Sequence, residues 1–175
     1  MGENLIVPQG RVIIYGHPGS YKSFATAQLS RAMANGVDWL EYEMKAKART
    51  LYLQGEVVPK MMQSRGLGMR TEYGGSDNTF YCYARDLTLK SESQWKELTD
   101  RIGEAEIEFV FLDPLSQLLG GSEVDDGHFR AWLDRLDVLS TETNSGVVIV
   151  HHSRKTVWRG DGTAYSGAQD LRGWS

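Results

Sequence analysis

The chain has 175 residues, enough for one α/β domain with a sizeable core and too few to divide comfortably into two. Hydrophobic residues make up 41% and charged residues 24%, a globular balance that argues against disorder. The formal net charge of −4 argues against strong sequence-independent binding of nucleic acid by the chain as a whole. Because no segment approaches the length of a membrane-spanning helix and no signal-peptide pattern precedes the first strand, we expect a cytoplasmic protein without a membrane partner.

Apolar runs alternate with helical patterns along the chain. Most of the runs are continuous, which is typical of strands that are buried on both faces. We therefore predict an α/β fold with a mainly parallel sheet of five or more strands and helices on both faces. In chain order, the predicted elements are a strand at 11–15, a helix at 24–35, a surface turn or short helix at 39–49, a strand at 50–54, a helix at 59–65, a strand at 79–83, a helix after 91, a strand at 109–113, a helix around 129–139 and a strand at 147–150.

Local signals mark the ends of several elements. Ser91, with Gln94 three residues later, resembles a capping box. Pro59 suits the first turn of a helix that we expect to end at Gly66. Cys82 is the only cysteine, so no intrachain disulfide can form, and its place in an apolar strand predicts a buried side chain rather than a nucleophile.

A glycine-bearing loop joins the first strand to the first helix, and the order strand, loop, Lys-Ser, helix is that of a phosphate-binding P-loop. Backbone N–H groups and the helix dipole favour an anion at such a point. We predict that Lys22 reaches the β- and γ-phosphate oxygens of ATP and that the Ser23 hydroxyl holds Mg²⁺. Tyr21 stands where a glycine normally precedes the lysine, so it needs permissive dihedrals or a shifted loop. The predicted nucleotide contacts are Gly16, Pro18, Gly19, Ser20, Tyr21, Lys22, Ser23 and Phe24.

Two acids follow strands, and ligands of such sheets bind beyond the carboxyl ends of the strands. Asp113 ends an apolar run in the Walker B arrangement, which predicts a contact to Mg²⁺ through a water; a residue that caps the next turn is the alternative. Pro114 follows it instead of an acid, so the water attacking the phosphate needs another carboxylate. Glu56, just past the second strand, is the best candidate, with an ordinary exposed loop glutamate as the alternative.

The end of the fifth strand carries histidines and then a basic segment. We predict that His152, ahead of His151, hydrogen-bonds the γ-phosphate and reports its loss; one core-facing and one solvent-facing histidine is the alternative. Segment 151–160 contains no acid, and its basic and aromatic residues suit single-stranded nucleic acid. A lid over phosphates or a solvated loop would have the same composition. The predicted nucleic-acid contacts are Arg154, Lys155, Trp158 and Arg159.

Together these features resemble the RecA-like P-loop ATPase family that contains the RepA-type hexameric replicative helicases of plasmids and phages. The residues that carry the resemblance are Lys22-Ser23-Phe24, Gly55-Glu56, Phe109–Leu112 with Asp113-Pro114-Leu115, the loop Gly121…Glu123…Asp125-Asp126, and Val148–Lys155.

The resemblance implies a RecA-type core that forms a ring, binds ATP with Mg²⁺ between subunits and pulls single-stranded DNA through the centre. By position, Lys22 and Ser23 match the P-loop residues, Glu56 the catalytic glutamate, Asp113 the Walker B acid and His152 the γ-phosphate sensor. Residues 1–175 would then form one RecA-like ATPase domain that lacks the C-terminal strands of its core. Two alternatives stay open: a P-loop kinase with a basic lid, and a module that binds ATP without hydrolysing it and controls assembly.

Overall fold

The computed structural model describes residues 6–75, 77–83, 89, 91–118 and 126–152, and these form an α/β fold around a five-stranded parallel sheet. In chain order the elements are β1 (Arg11–Gly16), α1 (Lys22–Asn35), β2 (Thr50–Gln54), α2 (Pro59–Tyr73), β3 (Thr79–Tyr83), α3 (Glu92–Glu104), β4 (Phe109–Asp113), α4 (Leu115–Leu118), α5 (Asp126–Thr143) and β5 (Gly146–His152).

The strands lie in the order β1-β5-β4-β2-β3, and every neighbouring pair is parallel. The fold class is therefore confirmed as α/β with the sheet of a RecA-like P-loop NTPase. Because β5 lies between β1 and β4, the strand that precedes the glycine-bearing loop is not adjacent to the strand that ends in Asp113. This order favours the RecA-like interpretation over the kinase alternative.

The three inner strands β2, β4 and β5 are largely buried on both faces, and their successive residues enter opposite cores. Tyr52 and Phe111 pack into the core beneath α1 and α2, whereas Leu53 and Leu112 pack into the core beneath α3 and α5. This alternation explains why the strands read as continuous apolar runs in the sequence. Within the described ranges, no helix combines the length and apolar character that crossing a bilayer requires.

The predicted helix start at Ser91 is confirmed in detail. The Ser91 hydroxyl accepts a hydrogen bond from the Gln94 backbone N–H at 3.3 Å, and the Gln94 side chain accepts one from the Ser91 N–H at 3.1 Å. The 39–49 segment forms a turn closed by two backbone hydrogen bonds between Trp39 and Tyr42, and it contains no helix. Trp39 is buried and attaches this turn to the core beneath α1.

Two expectations were wrong. Gly66 does not end α2, which continues to Tyr73, because Met69 and Tyr73 become buried against the core. Burial of two such side chains stabilises the helix by more than the roughly 2 kcal/mol that the two helical glycines, Gly66 and Gly68, cost together. Cys82 is exposed rather than buried, since β3 lies at the edge of the described sheet with β2 as its paired neighbour.

Candidate nucleotide-binding site

Four parallel strands end at one edge of the sheet, and the loop residues around Lys22, Glu56, Asp113 and the backbone of His152 lie there. The register pairs Gly16 of β1 with His152 of β5, and Gln54 of β2 with Asp113 of β4. The loop after Gly16 leads directly into α1, so the first turn of this helix lies at the same edge. Ligands of open parallel sheets bind at such an edge, above the strand ends.

The Lys22 side chain lies within the loop and is buried, with 7% of its surface exposed. Its ammonium donates hydrogen bonds to the carbonyl oxygens of Gly16 at 2.8 Å and His17 at 2.7 Å, and it lies 3.3 Å from the Ser20 hydroxyl. Burial lowers the pKa of Lys22, while the negative charges of Asp113 and Glu56 act in the opposite direction. Both predicted carboxylates are therefore close enough to act electrostatically on this ammonium.

Tyr21 adopts the left-handed conformation that a glycine favours, with φ 61° and ψ 15°. Of the two alternatives for a tyrosine at this position, permissive dihedrals or a shifted loop, the structure shows the left-handed dihedrals. Its side chain is 80% exposed, so the ring extends into solvent instead of filling the loop. Gly19 also has a positive φ of 82°, and an added Cβ there would meet nothing within 4 Å. The other predicted contacts exposed around the loop are Pro18, Gly19, Ser20 and Phe24.

We expect Tyr21→Gly to stabilise the fold and to leave ATP affinity nearly unchanged. A left-handed conformation costs a non-glycine residue about 1–2 kcal/mol, and glycine removes this cost. The greater freedom of glycine in the unfolded chain lowers the free energy of unfolding by about 0.5–1 kcal/mol, so the net stabilisation is smaller. The Tm should therefore rise by up to about 6 °C in thermal denaturation. Tyr21→Ala is the matched control, because it removes the ring and keeps the strained Cβ. An equal rise in both variants would show that the ring, and not the backbone, is responsible.

Ser23 and Asp113 are in direct contact, although 90 residues separate them in the sequence. The Ser23 hydroxyl donates a hydrogen bond to Asp113 Oδ1 at 2.9 Å. Asp113 is fully buried, with 0% of its surface exposed. A hydroxyl and a carboxylate are oxygen ligands of the kind that Mg²⁺ takes beside substrate phosphates, with waters completing its coordination. The residues present therefore fit a magnesium–nucleotide complex next to Lys22.

Tyr52 is a site residue that the sequence reasoning missed. Its hydroxyl donates to Asp113 Oδ2 at 2.6 Å and lies 3.0 Å from the Thr26 hydroxyl. Burial, and then the adjacent Asp113 charge, raises the pKa of Tyr52 well above its usual value, so the phenol stays a protonated donor. Tyr52 thus holds one oxygen of the carboxylate while Ser23 contacts the other. Its aromatic ring in an apolar strand is typical of a core residue, and only its alternation with Gln54 on one face of β2 indicated a shared role.

Gln54 connects Asp113 to the segment that carries Glu56, and the sequence reasoning missed it too. Its side-chain amide donates to Asp113 Oδ2 at 3.2 Å, while its carbonyl oxygen accepts from the Glu56 N–H at 2.7 Å and the Val57 N–H at 3.4 Å. The Gly55 N–H also donates to the Asp113 backbone oxygen at 2.9 Å. The backbone of Glu56 is thereby fixed relative to β4, and the Glu56 side chain itself is exposed.

The backbone of His152, the predicted sensor, lies beside the start of the loop. His152 pairs with Gly16 and His151 with Tyr15 in the β1–β5 register. The His151 side chain is half-buried, and the His152 side chain lies outside the described part of the structure. The same applies to the loop 121–125 and to all four predicted nucleic-acid contacts: Arg154, Lys155, Trp158 and Arg159.

Comparison with known families agrees with this geometry. The model of the AAA domain family matches residues 1–157. The chain belongs to the AAA domain family. As an AAA domain it is an ATPase-type nucleotide-binding domain, and the matched range contains the loop with Lys22 and Ser23, together with Glu56, Asp113 and His152. A search of the curated proteins finds no match to this AAA domain.

Proposed function

We propose that this AAA domain binds ATP with Mg²⁺ and hydrolyses the bond between the β- and γ-phosphates. The observation that carries the proposal is the contact of 2.9 Å between Ser23 Oγ and Asp113 Oδ1, beside the buried ammonium of Lys22. A helix N-terminus, a lysine and a hydroxyl–carboxylate pair at one point together suit a magnesium-bound polyphosphate. A strand-end aspartate that served only to cap a turn would not need this partner from α1.

Each residue has a separate task in the proposed reaction. The Lys22 ammonium exchanges the carbonyl oxygens of Gly16 and His17 for phosphate oxygens, which offer stronger charge-assisted hydrogen bonds. When bound, Mg²⁺ supplies neutralisation of the phosphate charge, and Ser23 and Asp113 would hold it. The Glu56 carboxylate orients the attacking water and accepts its proton.

His152 is the proposed sensor of the γ-phosphate. Its backbone lies next to Gly16, so loss of the phosphate would act on the strand that precedes segment 153–165. The proposed nucleic-acid contacts in that segment are Arg154, Lys155, Trp158 and Arg159.

We further propose that residues 1–175 form one RecA-like motor domain of a RepA-type DNA helicase or a related replication or recombination ATPase. The sheet order supports the RecA-like part of this proposal, and the resemblance of the sequence motifs supports the helicase part. Self-association into a ring around single-stranded DNA is part of the same proposal.

The decisive experiment measures ATP hydrolysis with and without single-stranded DNA. We expect single-stranded DNA to increase the rate several-fold, and the double variant R154Q/K155Q to lose this increase while R49Q/K45Q keeps it. Hydrolysis that DNA does not affect, combined with ATP-dependent oligomerisation, would support the assembly module instead. Transfer of the γ-phosphate to a nucleoside rather than to water would support the kinase.

A further inference from the structure

A cavity lies on the α1–α2 side of the sheet, between these helices and the strands β2 and β3. Its volume is about 570 Å³, which is within the usual range for small-molecule sites. Among the described residues that line it are two arginines and no acid. The side chains that matter for its chemistry are Arg31, Gln54, Met62, Leu67, Arg70 and Tyr81.

Arg31 is the unusual residue of this cavity, because its charge is buried without a described counter-ion. Its surface is 9% exposed, and among the described residues it forms one hydrogen bond, a long one from Nε to the Gly74 carbonyl oxygen at 3.4 Å. In the part of the chain that the structure describes, the buried Nη1 has no hydrogen-bond partner, and no carboxylate there forms an ion pair with Arg31. A buried cation without a partner is unfavourable, so an anion in this cavity would stabilise the fold.

The cavity shares Gln54 with the nucleotide site but does not reach the glycine-bearing loop. Arg31 follows Lys22 by nine residues on α1, which places it about 13 Å further along the helix axis. No residue of the loop 16–23 lines the cavity. An anion beside Arg31 would therefore not be part of the triphosphate held at the N-terminus of α1.

We propose that this cavity binds a small organic anion, a carboxylate or a phosphate monoester, whose charge pairs with Arg31 and whose apolar part packs against Met62 and Leu67. Arg70, at the exposed side of the cavity, adds a second positive charge. Tyr81 offers a hydroxyl near the guanidinium: burial raises the pKa of Tyr81, and the nearby Arg31 charge opposes that rise.

Gln54 gives the bound anion a route to the nucleotide site. It lines the cavity and also holds Asp113 and the Glu56 backbone N–H. Occupation of the cavity should therefore change the rate of ATP hydrolysis, and this consequence rests on the proposed function. Anion binding itself does not rest on the proposed function.

Hexanoate is a suitable probe, with hexanamide as its uncharged equivalent and hexyl phosphate as the phosphate monoester. Hexanoate at a hundred times its Kd should raise the Tm of the full chain by about 5–10 °C, and hexanamide should not. Arg31→Met should have a higher Tm than wild type without anion and should not respond to hexanoate. Arg65→Met, on α2 outside the lining residues, should respond like wild type. A larger shift with hexyl phosphate than with hexanoate would assign a phosphate monoester as the ligand class.

Calorimetric titration of the wild type and of Lys22→Ala keeps the proposal testable if Arg31→Met does not fold. Lys22→Ala should bind hexanoate with unchanged affinity, because its altered loop is remote from the cavity. Hexanoate binding that is lost with Lys22, equal responses to hexanoate and hexanamide, or a full response in Arg31→Met would each overturn the proposal. These outcomes do not depend on ATP turnover, so the inference and the proposed function can fail separately.

Discussion

Glu56→Gln should abolish ATP turnover while ATP still binds. Without the carboxylate, the attacking water has no proton acceptor at this position, and a loss of about 10²–10⁴-fold in kcat is expected. Affinity should be equal or slightly higher, because the substitution removes a negative charge that lies close enough to act on Lys22 and would repel the phosphates. The measurement is single-turnover hydrolysis together with a binding titration that uses labelled ATP.

Glu104→Gln is the matched control for this variant. Glu104 is an exposed glutamate at the end of α3, and α3 packs on the opposite face of the sheet from α1. Its replacement should change neither kcat nor affinity. If Glu56→Gln hydrolysed ATP at the wild-type rate, the base would have to be a different carboxylate, although the phosphate-binding loop would be unaffected.

Lys22→Ala should remove most of the ATP affinity. Hydrogen bonds to charged groups contribute about 1.5–3 kcal/mol, which corresponds to a loss of about 10–150-fold in affinity. The chain should still fold, because the hydrogen bonds of the ammonium to carbonyl oxygens are confined to the loop. The Ser23–Asp113 contact, which joins α1 to β4, does not involve Lys22. Circular dichroism and thermal denaturation would establish this before the binding titration.

Lys45→Ala controls for the loss of one positive charge. Lys45 is exposed in the 39–49 turn, and its replacement should leave affinity unchanged. Normal ATP binding and turnover by Lys22→Ala would show that the nucleotide does not bind at this loop. Normal binding with slow turnover would instead restrict Lys22 to stabilising the transition state.

The sequence by itself determined the features that depend on neighbouring residues. The apolar runs predicted the strands, with β2 and β3 at their observed bounds, and the Lys22-Ser23 pair between a strand and a helix predicted the loop. Ser91 and Gln94 likewise determine a capping box within four residues. These features are local because hydrogen bonds and dihedral preferences within a few residues decide them.

Only the tertiary structure decided which distant residues share the site. Tyr52 and Asp113 lie 61 residues apart, and their contact of 2.6 Å requires β2 and β4 to be adjacent in one particular register. Arg31 reads as an ordinary polar helix residue, and packing of α1 against α2 and β3 buries it.

The same reason explains the two wrong expectations. Cys82 is exposed because β3 lies at the edge of the described sheet, and α2 continues beyond Gly66 because Met69 is buried. The neighbouring residues in the sequence indicate neither the edge position nor the burial. Sequence patterns specify elements and the chemistry they carry, whereas burial and long-range contacts arise only when the strands have taken their order in the sheet.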